Sequence, residues 1–180
     1  MTCIVGIEDH GRVLIGGDSA VTDSFAGLII MRDPKVFRLG PLVIGVSGSL
    51  RMTQLLQHAV KVPKRRAGVS DGAFIRLHLM TAIRKAFCEH GWVRRHQDGN
   101  ELAECFLIGY GSQLYTVEDD FNAMTTVDGC DAVGCGCRYA MGSLYSTRSW
   151  DDNRGRLMEA LEAACACNAH CRPPFTVLST

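Results

Sequence analysis

Residues 1–20 are MTCIVGIEDHGRVLIGGDSA, and they put two extended segments at the very start of the chain. β-Branched and apolar residues fill 2–8 and 13–18, and Asp9-His10-Gly11 between them is typical of a tight turn. The first residues of a protein are usually poorly ordered unless something fixes them in place. A chain whose second residue already enters a strand therefore suggests that this residue has a chemical role.

The composition is that of an ordinary globular protein, and it narrows the possible functions. Of 180 residues, 47% are hydrophobic and 21% are charged, with 19 Lys and Arg against 19 Asp and Glu. This balance argues against a general nucleic-acid or membrane-surface binder, because such proteins carry excess basic charge. The length predicts one domain over 1–180. Neither a membrane span nor a secretory segment is expected from the sequence. Nine cysteines in such a chain predict reduced thiols and a cytoplasmic location.

Hydrophobic periodicity predicts alternating groups of strands and helices. Strands are expected at 2–8, 13–18, 27–31, 35–39, 42–47, 103–110, 113–117, 124–127 and 175–178. Helices are expected at 49–60, 71–90, 137–148 and 154–167. This order suggests two sheets packed face to face with helices outside, so the predicted fold class is α+β, a four-layer αββα sandwich. Arg94-Arg95-His96 is interpreted as a solvated loop.

Thr2 would supply both a nucleophile and a base if Met1 is removed, because its free α-amine would lie beside its own hydroxyl. A hydroxyl needs a base to attack, and an α-amine with a pKa of about 8 is partly neutral in the cell. Lys35 offers a positive charge, Asp18 a carboxylate to orient it, and Gly48 a backbone N–H at a strand-to-helix junction for an oxyanion. Each also has an ordinary interpretation, as a surface lysine, a turn residue or a turn glycine.

Six segments occur in an order and spacing that together are specific. They are TCIV at 2–5, GGD at 16–18, KVFRL at 35–39, GVSG at 45–48, LIG at 107–109 and GCGCRYAMG at 134–142. The set resembles the β-type subunits of the proteasome and their bacterial relative HslV, which are N-terminal nucleophile hydrolases. The resemblance covers nearly the whole chain.

The resemblance implies an αββα sandwich of the N-terminal nucleophile hydrolase type and a homo-oligomeric double ring that encloses its active sites. It also implies threonine-type cleavage of peptide bonds in unfolded polypeptides, with an AAA+ ATPase unfoldase as partner and with neither nucleic acid nor membrane. Val21, Val46 and Leu50 match positions that line the substrate pocket, and a place in the core is the equal alternative for all three. Ring formation would bury apolar faces of the outer helices, which we expect around Leu55, Leu56, Leu77 and Phe87.

Transferred residue by residue, the resemblance makes Thr2 the nucleophile and its amine the base. Lys35 would lower the pKa of the Thr2 hydroxyl, Asp18 would orient Lys35, and the Gly48 N–H would bind the oxyanion. These roles are implied by the family, and the residue types agree with the chemistry that an activated hydroxyl requires.

Three positions depart from the family's pattern. Cys135 stands where relatives carry Ser in a glycine-rich turn near the amine, and the family's later supporting Asp and Ser fall at Asn168 and Cys171. A thiol is a weaker hydrogen-bond partner than a hydroxyl, and neutral Asn does not hold a cationic amine as Asp does. Loss of that carboxylate favours the neutral amine but positions it less firmly. Cys135 is expected beside the Thr2 amine, with Lys35 favouring its thiolate.

Two other functions stay open from the sequence: a proteasome-fold scaffold or binding protein that has lost catalysis, and an N-terminal nucleophile amidase acting on a small molecule. No cofactor is required, although some relatives hold a monovalent cation on backbone carbonyls of the last segment, and the resemblance only hints at such a site here. A zinc site built from the cysteines at 135, 137, 165, 167 and 171 with His170 is the alternative to free thiols. Its spacing is not a standard zinc pattern.

Overall fold

The computed structural model describes residues 2–22, 27–92, 94–95, 101–102 and 104–180, which include every predicted site residue. Met1, His96 and the start of the strand predicted at 103 lie outside the described residues. The strands are β1 (Ile4–Asp9), β2 (Arg12–Gly17), β3 (Ala20–Thr22), β4 (Leu28–Ile30), β5 (Val36–Leu39), β6 (Leu42–Val46), β7 (Arg94–Arg95), β8 (Glu101–Leu102), β9 (Phe106–Tyr110), β10 (Gln113–Val117), β11 (Ala123–Met124), β12 (Cys130–Val133) and β13 (Thr176–Ser179). The helices are α1 (Leu50–His58), α2 (Asp71–Ala73), α3 (Met80–Glu89), α4 (Cys137–Ser146) and α5 (Asn153–Cys167), with a π-helical segment, Phe74–Leu79, joining α2 to α3.

The strands form two larger antiparallel sheets, and the N-terminal strand lies inside the first. That sheet has the order β12-β1-β2-β13, and the second has the order β11-β10-β9-β6-β5. β1 and β2 are joined by a two-residue turn in which Asp9 pairs with Arg12. His10 and Gly11 both have positive φ there, as such a hairpin turn requires. β1 therefore pairs on both sides, which fixes the segment that follows Thr2.

Three apolar layers hold the sandwich together. Between the sheets lie eight buried side chains, Ile4, Val13, Ile15, Val36, Val43, Leu107, Leu114 and Val133. α4 and α5 cover the outer face of the first sheet. α1, α3 and the π-helical segment cover the second. The predicted α+β class with its αββα layers is confirmed. No described helix combines the length and the apolar character needed to cross a membrane.

Several predicted elements differ from those observed, mainly where strands are short. β12 was not predicted because it has only four residues, and one of them is Asp131, whose carboxylate accepts a hydrogen bond from Thr116. The strand predicted at 124–127 is limited to β11. The loop interpretation is wrong for Arg94 and Arg95, which pair with β8. Such two- to four-residue strands are stabilised by their partners rather than by their own pattern.

The expected apolar faces of the outer helices are mostly buried. Leu55, Leu56 and Phe87 are 3%, 0% and 0% exposed, because they lie on the helix faces that pack on the second sheet. Only Leu77 of the four is on the surface. The described surface instead shows a continuous apolar strand, β4, whose three side chains are each about half exposed.

Candidate active site

Asp18 is the most firmly held polar residue near the N-terminus. It follows β2 directly and is 1% exposed. Its Oδ1 accepts from Cys3 N and from Lys35 Nζ, both at 3.0 Å. Its Oδ2 accepts from Ala20 N at 3.0 Å and from Arg172 N at 3.3 Å. Four donors compensate the burial of the carboxylate, so its orientation is fixed.

Lys35 is buried and is not a surface lysine. It precedes β5 in the second sheet, and its ammonium group donates to Asp18 Oδ1 and to the carbonyl of Ala20. The buried ion pair therefore joins one end of the first sheet to the second. Because the same carboxylate oxygen bonds the main chain of Cys3, the positive charge is held one residue away from Thr2.

Thr2 lies two residues before the start of β1 and is enclosed by the turn at 134–136. The Thr2 N–H donates to Cys135 Sγ at 3.3 Å, and Gly136 N donates to the Thr2 carbonyl at 3.3 Å. Gly134 has φ +99, and a Cβ at this position would collide with the Thr2 carbonyl oxygen. The turn thus needs glycine in order to approach the N-terminal residue this closely.

Cys135 lies at the expected place, but its ionisation differs from the expectation. Its sulfur contacts Thr2 and the thiol of Cys171, and desolvation raises the pKa of the Cys135 thiol, although the hydrogen bond from Thr2 opposes this. The expectation that Lys35 favours a thiolate is therefore wrong. Burial penalises the charged sulfur, and this effect is the largest one on the Cys135 thiol.

Two further positions that the resemblance singled out support this turn. Cys171 is 0% exposed, and its hydrogen bond with the Cys3 thiol, together with burial, raises the pKa of the Cys171 thiol. Asn168 ends α5 and donates from Nδ2 to the Cys135 carbonyl at 2.9 Å. Asn168 thus acts on the backbone of the turn.

Gly48 lies between β6 and α1, as expected, and a carboxylate that was not foreseen covers it. Glu104 Oε2 accepts a hydrogen bond from Ser49 N, and a Cβ on Gly48 would collide with that same oxygen. Ser49 also caps α1, its Oγ accepting from Arg51 N at 3.1 Å. The N–H of Ser49, one residue after the predicted oxyanion donor Gly48, therefore already faces a negative side chain.

Solved structures with the same fold exist, and their sequences are distant. The BPH of Thiobacillus denitrificans in complex with epoxomicin matches with 18% identity and TM-score 0.82, covering 99% of this chain and 97% of that one. The fold is the proteasome-like HslV fold. Eukaryotic HslV from Trypanosoma brucei matches at 17% identity and TM-score 0.69, over 98% of both chains. The Gly-1 mutant of Anbu from Hyphomicrobium sp. strain MC1 matches at 15% identity and TM-score 0.70, over 98% of this chain and 80% of that one.

No family model and no curated protein matches the chain. At such low identity, the likeness establishes the HslV fold.

A cleft of about 700 Å³ opens beside Lys35 in this HslV-like chain. Among its lining residues are Ile29, Met31, Lys35, Leu50 and His58. Of the three residues that the resemblance assigned to the substrate pocket, Leu50 lines this cleft, whereas Val46 is buried in the core at 2% exposure. β4 contributes apolar side chains to the cleft, whereas α1 contributes Leu50 and four polar residues, Thr53, Gln54, Gln57 and His58.

The cation site that the resemblance implied in the last segment does not fit the residues present. The carbonyls of Cys165, Asn168 and Cys171 converge, but the Arg172 guanidinium already binds all three. Zinc is not supported either, since no three His, Cys, Asp or Glu side chains in the described part of the chain are arranged to hold a metal.

Glu104 and Arg172 are the residues that sequence reasoning missed. An Arg just beyond a helix C-terminus is a recognised partner for the last carbonyls, so Arg172 had a local pattern that could have identified it. Glu104 had none. It meets Gly48 because Ser47 N bonds the Cys105 carbonyl, and that contact depends on the register of β6 against β9 across more than fifty residues.

Proposed function

We propose that this chain is a threonine-type endopeptidase subunit that cleaves unfolded polypeptides through Thr2 once the preceding residue is removed. The observation that supports this best is the buried Asp18 carboxylate, whose Oδ1 bonds both the main chain of Cys3 and the ammonium group of Lys35. A structural ion pair would not need to be tied to the residue that follows Thr2. A nucleophile at Thr2 needs this arrangement, because a developing alkoxide is stabilised by a fixed, desolvated cation.

In the proposed reaction, the neutral α-amine of Thr2 takes the proton from Oγ while Oγ attacks the scissile carbonyl carbon. The carbonyl electron pair moves to oxygen, and Lys35 stabilises the charge near Oγ. When the tetrahedral species collapses, the C–N bond breaks and the amine returns its proton to the leaving nitrogen. Water, deprotonated by the same amine, then hydrolyses the ester and releases Thr2. Cys135 Sγ accepts from the main-chain N–H of Thr2 and would hold the amine freed at this position beside the Thr2 hydroxyl.

Glu104 opposes this reaction in the structure described. Its carboxylate occupies the Ser49 N–H next to Gly48, where the negative oxygen of the tetrahedral species would bind. A hydrogen bond to a charged group contributes about 1.5 kcal/mol or more, and a substrate oxygen must displace it. Glu104 thus lowers the affinity of the site for the transition state.

Replacement of Glu104 by Ala should raise kcat/KM about tenfold, because about 1.4 kcal/mol of competition is removed. Glu104→Gln, which still accepts from Ser49 N but lacks the charge, should have an intermediate effect. Glu89→Ala is the matched control, since it removes the same charge from the exposed end of α3. A Glu104→Ala enzyme that cleaves no faster than wild type would show that the carboxylate does not compete with substrate.

The cleft and the exposed strand indicate how substrates and further subunits would be arranged. Ile29 and Leu50 at the cleft favour an apolar side chain before the scissile bond. β4 exposes Leu28, Ile29 and Ile30 at 48%, 53% and 47%, and closed cyclic assembly is the usual way to cover such a strand. We therefore propose a homo-oligomeric ring, with an AAA+ ATPase as the source of unfolded chains.

The test is peptide cleavage by the purified wild-type protein, with the intact mass and the light-scattering mass of the same preparation. We expect the intact mass of a chain that begins at Thr2 and a light-scattering mass of many subunits. We expect cleavage after apolar residues. Epoxomicin, which the T. denitrificans BPH structure holds, should block that cleavage. A monomer with a free Thr2 that leaves every unfolded chain intact, with and without ATPase, would contradict the proposal.

A second candidate is a catalytically inactive scaffold of the same fold. The observation that favours it is the Glu104 carboxylate beside Gly48, which repels an oxyanion. The two functions are distinguished by intact mass and by the Glu104→Ala variant. A scaffold would retain residues before Thr2 and would stay inactive in both forms.

A further inference from the structure

Arg172 binds the end of α5 in the way that an ion would. Its Nη1 lies 3.1 Å from the Cys165 carbonyl, 3.0 Å from the Asn168 carbonyl and 2.6 Å from the Cys171 carbonyl. One nitrogen has only two N–H groups, so at least one of them is shared between two acceptors. Three carbonyl oxygens that converge on one positive centre are a cation-binding arrangement, and here the centre is part of a side chain.

The same residue connects the two halves of the Thr2 site. Its main-chain N–H donates to Asp18 Oδ2 at 3.3 Å, and its carbonyl accepts from Ser19 N at 3.0 Å. Asn168, whose carbonyl the guanidinium binds, donates to the Cys135 carbonyl. Arg172 is therefore linked on one side to the carboxylate that holds Lys35, and on the other to the turn that holds Thr2 N.

We propose that the guanidinium of Arg172 is a built-in replacement for a free cation and a positioning residue for Thr2. A guanidinium stays charged at all pH values that a protein experiences, so this positive centre does not depend on salt or pH. It also satisfies carbonyls at the negative end of the α5 dipole. The wild-type site is thus filled permanently, which relieves this chain of any cation requirement.

Removal of the guanidinium should convert the segment into a true cation site. The three carbonyls would keep their convergence through α5 and through the Asn168 hydrogen bond, but they would lack a positive partner. The distances to the Cys165 and Asn168 carbonyls, 3.1 and 3.0 Å, exceed the ranges of about 2.0–2.1 Å for Mg²⁺ and about 2.3–2.6 Å for Ca²⁺, and the distance to the Cys171 carbonyl, 2.6 Å, exceeds the first. K⁺, a larger and weakly hydrated ion, is therefore the cation that the vacated site should take, on backbone carbonyls of the kind that K⁺ filters use.

The experiment compares thermal melting in potassium chloride with melting in choline chloride at equal ionic strength. Wild-type Tm should be the same in both salts. Arg172→Ala and Arg172→Gln should melt lower by on the order of 5 °C in choline chloride and regain part of that loss in potassium chloride. Arg172→Lys keeps a charge and should not respond to K⁺. Arg154→Ala, which removes an exposed arginine from the same helix, is the matched control and should behave as wild type.

The positioning role rests on the proposed function and has its own measurement. In choline chloride, Arg172→Gln should lose kcat at nearly unchanged KM, and K⁺ should restore it; a purely structural residue would not give cation-specific rescue. The melting comparison does not need peptidase activity, so an inactive wild type would sink the proposed function and leave the cation inference standing. Stabilisation of wild type by K⁺ would overturn the inference. So would indifference of both neutral variants to K⁺, or their failure to fold in either salt.

Discussion

Thr2→Ala should abolish peptide cleavage while the protein still folds and assembles as wild type does. The side chain supplies the attacking oxygen, and removal of a nucleophile costs on the order of 10⁴-fold or more in kcat, which in most peptidase assays is complete loss. The main-chain bonds of Thr2, to Cys135 Sγ and from Gly136 N, do not involve the hydroxyl. The turn around the N-terminus should therefore persist. Cleavage of a fluorogenic peptide and the light-scattering mass are the two measurements.

Two variants separate the hydroxyl from its neighbours. Thr2→Ser keeps the oxygen and should retain cleavage, whereas Cys135→Ala removes the thiol that contacts Thr2 N and should leave some activity. If cleavage survives Thr2→Ala and disappears in Cys135→Ala, the nucleophile is the Cys135 sulfur rather than the Thr2 hydroxyl. The intact mass of each variant must be that of a chain beginning at residue 2, because a retained Met1 would mask the effect of any of these changes.

The parts of the site that lie at strand ends were predictable from the sequence. Thr2 precedes β1, Asp18 follows β2 and Lys35 precedes β5. Strand limits follow from short apolar runs and turn residues, so each of these positions can be located without knowing the sheet order. The packing of two sheets face to face was also predictable, because the order of strand and helix groups restricts the architecture to few solutions.

Features that depend on pairing register or on burial were not predictable. Glu104 reaches Gly48 only through the alignment of β9 with β6, and no local pattern indicates that alignment. The Cys135 thiol was expected to ionise because the charge of Lys35 was considered without desolvation of the sulfur. Desolvation has the larger effect and raises the pKa of the thiol. Leu55 and Leu56 were assigned to the outer face of α1, although both face the sheet. An amphipathic pattern defines the apolar face, but it does not say whether another subunit or the chain's own sheet covers that face.

Lys35→Met should lower kcat by at least ~10²-fold, since a desolvated cation beside a developing alkoxide is often the largest single contribution to catalysis. It should also destabilise the fold by about 3 kcal/mol, the low end for breaking a buried ion pair, because Asp18 keeps three main-chain donors. Lys35→Arg should not restore activity. The planar guanidinium of Arg does not replace the compact ammonium group of Lys35, which donates to both Asp18 Oδ1 and the Ala20 carbonyl.

The double variant Lys35→Met, Asp18→Asn separates the catalytic loss from the structural one. An Asn at 18 carries no charge to leave unpaired, and its carbonyl oxygen can still accept from two of the main-chain donors. Denaturant melts should therefore show that the double variant is more stable than Lys35→Met alone, with a positive coupling between the two changes. Cleavage should stay as low as in the single variant, because both proteins lack the Lys35 ammonium group. If activity instead returned together with stability, the pair would serve the fold alone, and another group would have to activate the Thr2 hydroxyl.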